Sequence, residues 1–485
     1  MKKIFALLLM ALFMGASEYA GAQIEYGAFN ATASGSSVAT LTDYQCLGVN
    51  PANLGWKRNK HNFNLGFFEG GFSIFSEPLE KKNVYKDLIG NSKNFSSKDE
   101  RTEAIVNFTD TKLLIKFSET LFGISFQKDG IGGFAFTIRN HVFWNSTLNR
   151  TASELLFMGY HAPYFDSLAV DQQGDTIGYS TNPELASQLY HPTDISHILY
   201  NEYILGYGRN IIDKEKFKFY AGIDIKLLQG YGILNYNSVS PIAVEGYQAL
   251  SNKYGVKYDE PTPSALTGDG FQTAGLGFGV DIGVAFEIIQ KIKIGLALND
   301  IGSIKWDGNV YGGENVNIYE IKTPGINSYD IFNESGGIIA DNTNLGKWKG
   351  LASKTVQLPM HLRFGASYQA LENFAVGGEF FYGFNDDLPG ALTEPFYAIG
   401  TRYLPLDWVQ LSLGFNYGGG FGWNIPIGVT FIPVNKDNVS WEIGFASRDA
   451  ATWFRQKDPH VSLVFGFLRF SFGTNEVEKR FLDEM

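Results

Sequence analysis

Cysteine is almost absent from this chain: Cys46 is the one example in 485 residues. That excludes an internal disulfide framework, so an exported form must be held by strand ladders and packing. Basic charge is also scarce, with 39 Lys and Arg against 50 Asp and Glu and a net charge of −11, whereas a nucleic-acid partner needs a basic stripe. Beyond the N-terminus no apolar run reaches the roughly 20 residues of a spanning helix. The 7 histidines lack metal-ligand spacing: His191 and His197 fall in a predicted loop, and His361 lies beside Arg363 on a strand. No Gly-x-Ser-x-Gly elbow occurs and no triad can be assembled. The expectation is therefore no enzyme, no metal and no cofactor. "GLGFGVDIG" has the look of a nucleotide-binding glycine fingerprint, but its glycines alternate along a strand instead of opening a helix. They suit a thinned wall or the close approach of another backbone. Acidic loop residues Asp269, Asp386 and Asp387 fit solvated loops as well as weak Ca²⁺ ligands.

What is abundant is glycine, at 55 residues, and aromatic side chains, at 15%, in a chain whose mean hydropathy is only −0.09. One lipid face and one wet face on every strand produce that balance. Lys2 and Lys3, an apolar run from Ile4 to about Ala16 and the small residues Ala20, Gly21 and Ala22 predict a secretory signal over 1–22. Cys46 lies far past that cleavage site, so no lipid anchor is expected.

Alternation with period two marks the strands, because successive strand side chains point to opposite faces. In "KFKFYAGIDIKLL", Phe217, Phe219, Ile223, Ile225 and Leu227 share one face, and Lys218, Tyr220, Asp224 and Lys226 the other. The stretch 273–287 repeats this, and about fourteen such strands can be placed between 61 and 472. A soluble sandwich also alternates, so loop rhythm decides. Short connections near 128–132, 211–216, 288–291, 370–373, 404–407 and 433–438 alternate with long ones, notably 77–112, 145–195, 231–272 and 305–354. A transmembrane antiparallel β-barrel, porin-like, has tight turns at one end and long loops at the other. With the first strand running outward, Trp144, Trp306 and Trp423 fall near outer strand ends and Trp408 and Trp441 near inner ones, as two interfacial girdles.

The same alternation turns Asp224, Lys226, Asp281, Lys293, Arg363, Glu379, Arg402 and Glu442 toward the lumen. A Lys or Arg facing mid-depth lipid would cost roughly 2–4 kcal/mol. Mutual pairing, contact with a plug and contact with a substrate are all open to these residues.

"NPANLGW", ahead of this pattern, resembles the N-terminal motif of the FadL-type family of outer-membrane barrels, with its TodX-like and PorV-like branches. The hairpins "YILGYGRNIIDKEKFKFYAGIDIKLLQG", "GFGVDIGVAFEIIQKIKIGLALNDIGSIKW" and "LPMHLRFGASYQALENFAVGGEFFYGF" look like the strand pairs of uncharacterised relatives from bacteria with type IX secretion. The resemblance implies an N-terminal hatch over 23–60 inside a barrel over 61–473, then a periplasmic tail over 474–485. It places Asn50, Pro51, Ala52 and Asn53 in the hatch as its expected moving part. Proline fixes φ and asparagine holds local turns, which suits a compact stopper. Two departures stand out: "GTNEVEKRFLDEM" follows the last strand, so assembly would have to read Phe472 or Phe481, and loop 305–354 has no counterpart that aligns.

Three functions follow in order: uptake of a small hydrophobic compound across the outer membrane; a non-transporting barrel that docks exported proteins or secretion machinery; and an outer-membrane hydrolase with a Ser/His pair at a strand end.

Overall fold

A computed structural model describes residues 37–56, 61–89, 93–170, 172, 174–256, 260–329, 347–420 and 422–473. The expected signal segment, residues 23–36 and the tail from 474 lie outside the described residues.

Fourteen strands form a closed antiparallel barrel of the outer-membrane type. They are β1 (Phe63–Ser76), β2 (Lys112–Lys128), β3 (Gly132–Thr147), β4 (Asp194–Lys214), β5 (Phe217–Ser240), β6 (Gly275–Ile288), β7 (Ile292–Trp306), β8 (His361–Leu371), β9 (Phe374–Gly383), β10 (Phe396–Leu406), β11 (Val409–Gly418), β12 (Ile427–Asn435), β13 (Val439–Ser447) and β14 (His460–Phe472). Each pairs with its neighbours in sequence, and β1 also pairs with β14, from Phe63 opposite Phe472 to Phe75 opposite His460. Closure leaves no unpaired edge, the condition for putting a β-sheet in hydrocarbon. No described helix is long and apolar enough to cross a membrane.

The faces follow the alternation. Ile223, Ile225 and Leu227 on β5 and Leu276, Phe278 and Ile282 on β6 are exposed outward, while Asp224, Lys226 and Asp281 between them are fully buried. At one end the connections are tight turns, such as Ile289 and Gln290, both with positive φ (46° and 57°) between β6 and β7; paired positive φ values match the twist of a hairpin. At the other end the long connections fold back over the ring. They include α1 (Lys98–Phe108), capped by Ser97, and α2 (Arg150–Met158), capped by Asn149. Phe108 and Phe157 from these helices join Trp306, Val310 and Ile326 in one apolar cluster. Phe95 and Tyr329 flank Phe157 in edge-to-face contacts, with ring centroids 6.0 and 6.5 Å away.

Three local expectations change. Trp306 is not a girdle residue: it is fully buried, with Gly230 and Gly275 leaving room for its ring. β4 and β5 run for 21 and 24 residues, well past the roughly 9–11 that cross a bilayer, so part of the expected loop 231–272 is strand, paired also with Ala243–Leu250. The strand expected over 355–370 is interrupted between Lys354–Gln357 and β8, where Pro359 has no N–H for the ladder.

Candidate functional site: the segment inside the barrel

Residues 37–56 contain two short 3₁₀ turns, Asp43–Cys46 and Pro51–Gly55. Their side chains are buried against inward faces of the strands. In the second turn Pro51 occupies a position that needs no N–H, and Asn50 Oδ1 accepts from Ala52 N at 3.2 Å. The Asn50 amide also donates to Val38 O and to Val284 O on β6, both at 3.2 Å. Asn53 Nδ2 donates to Val38 O at 3.1 Å and Leu41 O at 2.9 Å. The two asparagines thus tie the folded segment to itself and to the wall, and Ala52 packs with Trp56, Tyr220 and Ala285.

The wall is shaped for this turn. A Cβ added at Gly208 or Gly222 would collide with Pro51, one at Gly283 with Asn50, and one at Gly133 with Leu54. These glycines on β3 to β6 admit backbone where any side chain would exclude it.

The eight lumen-facing charges do not form one network. Asp224 and Asp281 stand directly opposite each other on β5 and β6. Lys226 Nζ lies 3.0 Å from Asp281 Oδ2 and 3.4 Å from Glu202 Oε1, and it also pairs with Asp300. This group holds the segment through backbone: Gly48 N donates to Asp224 Oδ2 at 2.9 Å, and Arg139 Nη1 donates to Leu47 O at 2.9 Å. His141 Nε2 is 3.2 Å from Glu202 Oε2.

Arg363 and Glu379 form a second, separate pair, with Arg363 Nε donating to Glu379 Oε1 at 2.7 Å. Glu379 Oε2 accepts from Ser37 N at 2.5 Å and Val38 N at 3.0 Å, and Arg363 Nη2 donates to Ser37 Oγ at 2.8 Å. Glu442 belongs to a third group, where Arg469 reaches Glu442 Oε2 at 2.8 Å and Asp43 Oδ2 at 2.7 Å. Beside it Glu69 accepts from Tyr44 and Gln45. Lys293 Nζ lies over the Trp56 ring, 3.7 Å from its centroid. Arg402 lines a cavity of about 380 Å³ bounded by Thr40 to Asp43, by strands β8 to β14 and by Asn64 of β1.

Arg139, His141, Glu202 and Arg469 are missing from the eight, though the alternation that found Asp224 would have found them. Glu69 and Asp300 had no such signal. Phe68 has positive φ (52°) at the one unpaired step of an otherwise unshifted β1–β2 ladder, and Asp300 has positive φ (58°) at a register shift between β6 and β7. A bulge of the second kind re-aims side chains, so Asn299 and Asp300 are adjacent yet both buried.

Cys46 is free and buried; burial pushes its thiol well above the ordinary range, and the Asp224 carboxylate adds to the rise. A Ser–His–Asn chain also exists: Ser73 Oγ is 2.8 Å from His460 Nε2, and His460 Nδ1 is 2.9 Å from Asn424 Oδ1. All three are at most 4% exposed, and the contacts tie β1 to β14 and to the loop before β12.

No curated protein matches the chain. Among solved structures it is similar to the toluene transporter TodX of Pseudomonas putida, at 12% identity and a TM-score of 0.42 over 94% of this chain and 100% of that one. It is also similar to the toluene transporter TbuX of Ralstonia pickettii, at 11% and 0.45 over 92% and 98%, and to a FadL homologue of Pseudomonas aeruginosa, at 10% and 0.41 over 94% and 97%. At such values the barrel assignment rests on the closed ladder itself. A family described as "Family of unknown function (DUF5723)" matches residues 51–436, beginning at the proline of the buried turn, and the chain belongs to that family.

Proposed function

We propose that this barrel takes up a small, largely apolar compound across the outer membrane, with residues 37–56 as a hatch that closes the lumen. The observation that carries the reading is how the segment is held: every tie described above is a hydrogen bond, an ion pair or packing, so it can be released and reseated. Two of the similar proteins are toluene transporters, and toluene is a compound of that class. Deleting 23–56 should raise arabinose-driven swelling of proteoliposomes; swelling unchanged from the full chain would remove the hatch.

A docking role has one observation in its favour. Ser167–Val170 is the edge of a small outer sheet with Thr176–Tyr179 and Glu320–Ile321, and all four of its residues are exposed. Such an edge can accept an extended segment of an exported protein. A photo-crosslinker at Leu168 that captures no exported polypeptide in cells would end that reading.

A further inference from the structure

The connection between β3 and β4 builds a lobe of its own at the long-loop end. Leu155, Ala162, Leu189 and Tyr190 form a small apolar core with Ile318 and Ile321 from the connection after β7. Backbone bonds stitch the two connections together: Ala186 N to Val316 O and Ile318 N to Glu184 O at 2.9 Å, and Ser180 N to Tyr319 O and Tyr160 N to Thr323 O at 2.8 Å. The small sheet of the lobe is thus held firmly on one side. On the other side Ser167–Val170 pairs, among the described residues, only with Thr176–Tyr179, so alternate N–H and C=O groups point away from the sheet.

No device guards this edge. Natural sheets block strand addition with lysine, proline or a covering loop, and Ser167–Val170 has neither residue and is exposed along its whole length. Lys347–Gly350 behaves differently: it too pairs on one side only among the described residues, but it carries exposed Lys347 and Lys349. Leu168 and Val170, two apart on the strand, are 53% and 69% exposed. An added strand would find apolar surface to cover as well as backbone to pair with.

The charge around the edge is of one sign. Residues 151–193 contain Glu154, Asp166, Asp171, Asp175 and Glu184 and no Lys or Arg. Glu154 is taken up by Arg150 at 2.6 Å. Asp166 and Asp175 stand at the two ends of the strand, because Asp166 precedes Ser167 and Asp175 precedes Thr176, the partner of Val170. Both are exposed, and Asp166 is fixed, accepting from Thr181 N at 2.7 Å and Thr181 Oγ1 at 2.5 Å. On the far strand Glu320 and the following Lys322 offset each other in charge.

Resting on the docking reading, we infer that the occupant of this edge is an extended protein segment with apolar residues at alternate positions and Lys or Arg at both ends. Main-chain pairing along a strand of 4 residues supplies part of the affinity. The end charges fix the register and turn away acidic segments.

The test titrates the full-length chain in nanodiscs with two fluorescent peptides, Lys-Val-Thr-Val-Thr-Val-Lys and Glu-Val-Thr-Val-Thr-Val-Glu. The lysine peptide should bind severalfold more tightly, with an advantage that shrinks as salt rises. Asp166→Asn with Asp175→Asn should remove the preference and keep the sheet, since an amide oxygen can still accept from Thr181. Leu168→Lys, which adds the guard that Lys347 provides elsewhere, should abolish binding of the lysine peptide. Equal binding of the two peptides, or a preference that survives the double variant, would overturn the basic partner. Binding that survives Leu168→Lys, or no binding of either peptide, would overturn the edge as the site. A photo-crosslinker at Leu168 in cells separates these failures from failure of the docking reading. Capture of an exported segment without basic ends leaves docking standing and this inference wrong, whereas capture of a second copy of this chain, or of nothing, overturns both.

Discussion

Asp43 and Arg469 meet at 2.7 Å although 426 residues of chain separate them. One belongs to the segment inside the ring and the other to the strand that closes it. Replacing Arg469 with Gln alone leaves Asp43 without its cation, and breaking a buried pair from one side costs about 3–5 kcal/mol. The cavity beside it admits water, so the loss belongs at the lower end. Thermal unfolding followed by heat-dependent gel mobility should show the single variant less stable than the Asp43→Asn, Arg469→Gln double variant.

Gly222→Val tests the socket. The strand itself tolerates valine, but its side chain would occupy the place of Pro51 and Ala52. The barrel should still assemble, with a destabilisation of about 1–3 kcal/mol typical of overpacking. Cys46, unreactive toward maleimide at neutral pH in the parent because its thiol is buried and protonated, should become reactive. A thiol that stays protected would show that the socket does not hold the segment.

Lys226→Met should be the most damaging single change in the Asp224–Lys226–Asp281 group. It strands Glu202, Asp281 and Asp300 without their shared ammonium, at about 3–5 kcal/mol. Adding Asp281→Asn should recover part of the folded yield on a gel; no recovery would argue that Lys226 acts elsewhere.

Ser73→Ala addresses the hydrolase reading. With serine, histidine and asparagine all buried, the parent should not react with a fluorophosphonate probe. Labelling of the parent that vanishes in Ser73→Ala would make the Ser73–His460–Asn424 chain a working nucleophile.

Most of the barrel was legible because its signal repeats at every second residue and a lipid face tolerates few exceptions. Alternation grouped the eight charged residues on one set of strand faces, but it could not show their division into separate groups. Lys226 and Arg363 have the same local pattern, and only the ring's curvature decides that one meets Glu202 and the other Glu379. Asp300 escaped because a bulge breaks the period that alternation depends on, and Glu69 because the positive φ of Phe68 before it breaks the same period. Ser73, His460 and Asn424 escaped because their meeting is a property of closure, which joins the first strand to the last. The motif was conspicuous in sequence as a rigid turn, and rigidity fits a seat as well as a moving part.

The glycine seat also bears on how the ring is completed. Its floor is drawn from β3 to β6, consecutive in the chain, and requires neither β14 nor its pairing with β1. The Asn50–Asn53 turn can therefore settle while the sheet is still an open crescent, and the remaining strands can then curl around a turn already in place instead of having it threaded into a finished tube.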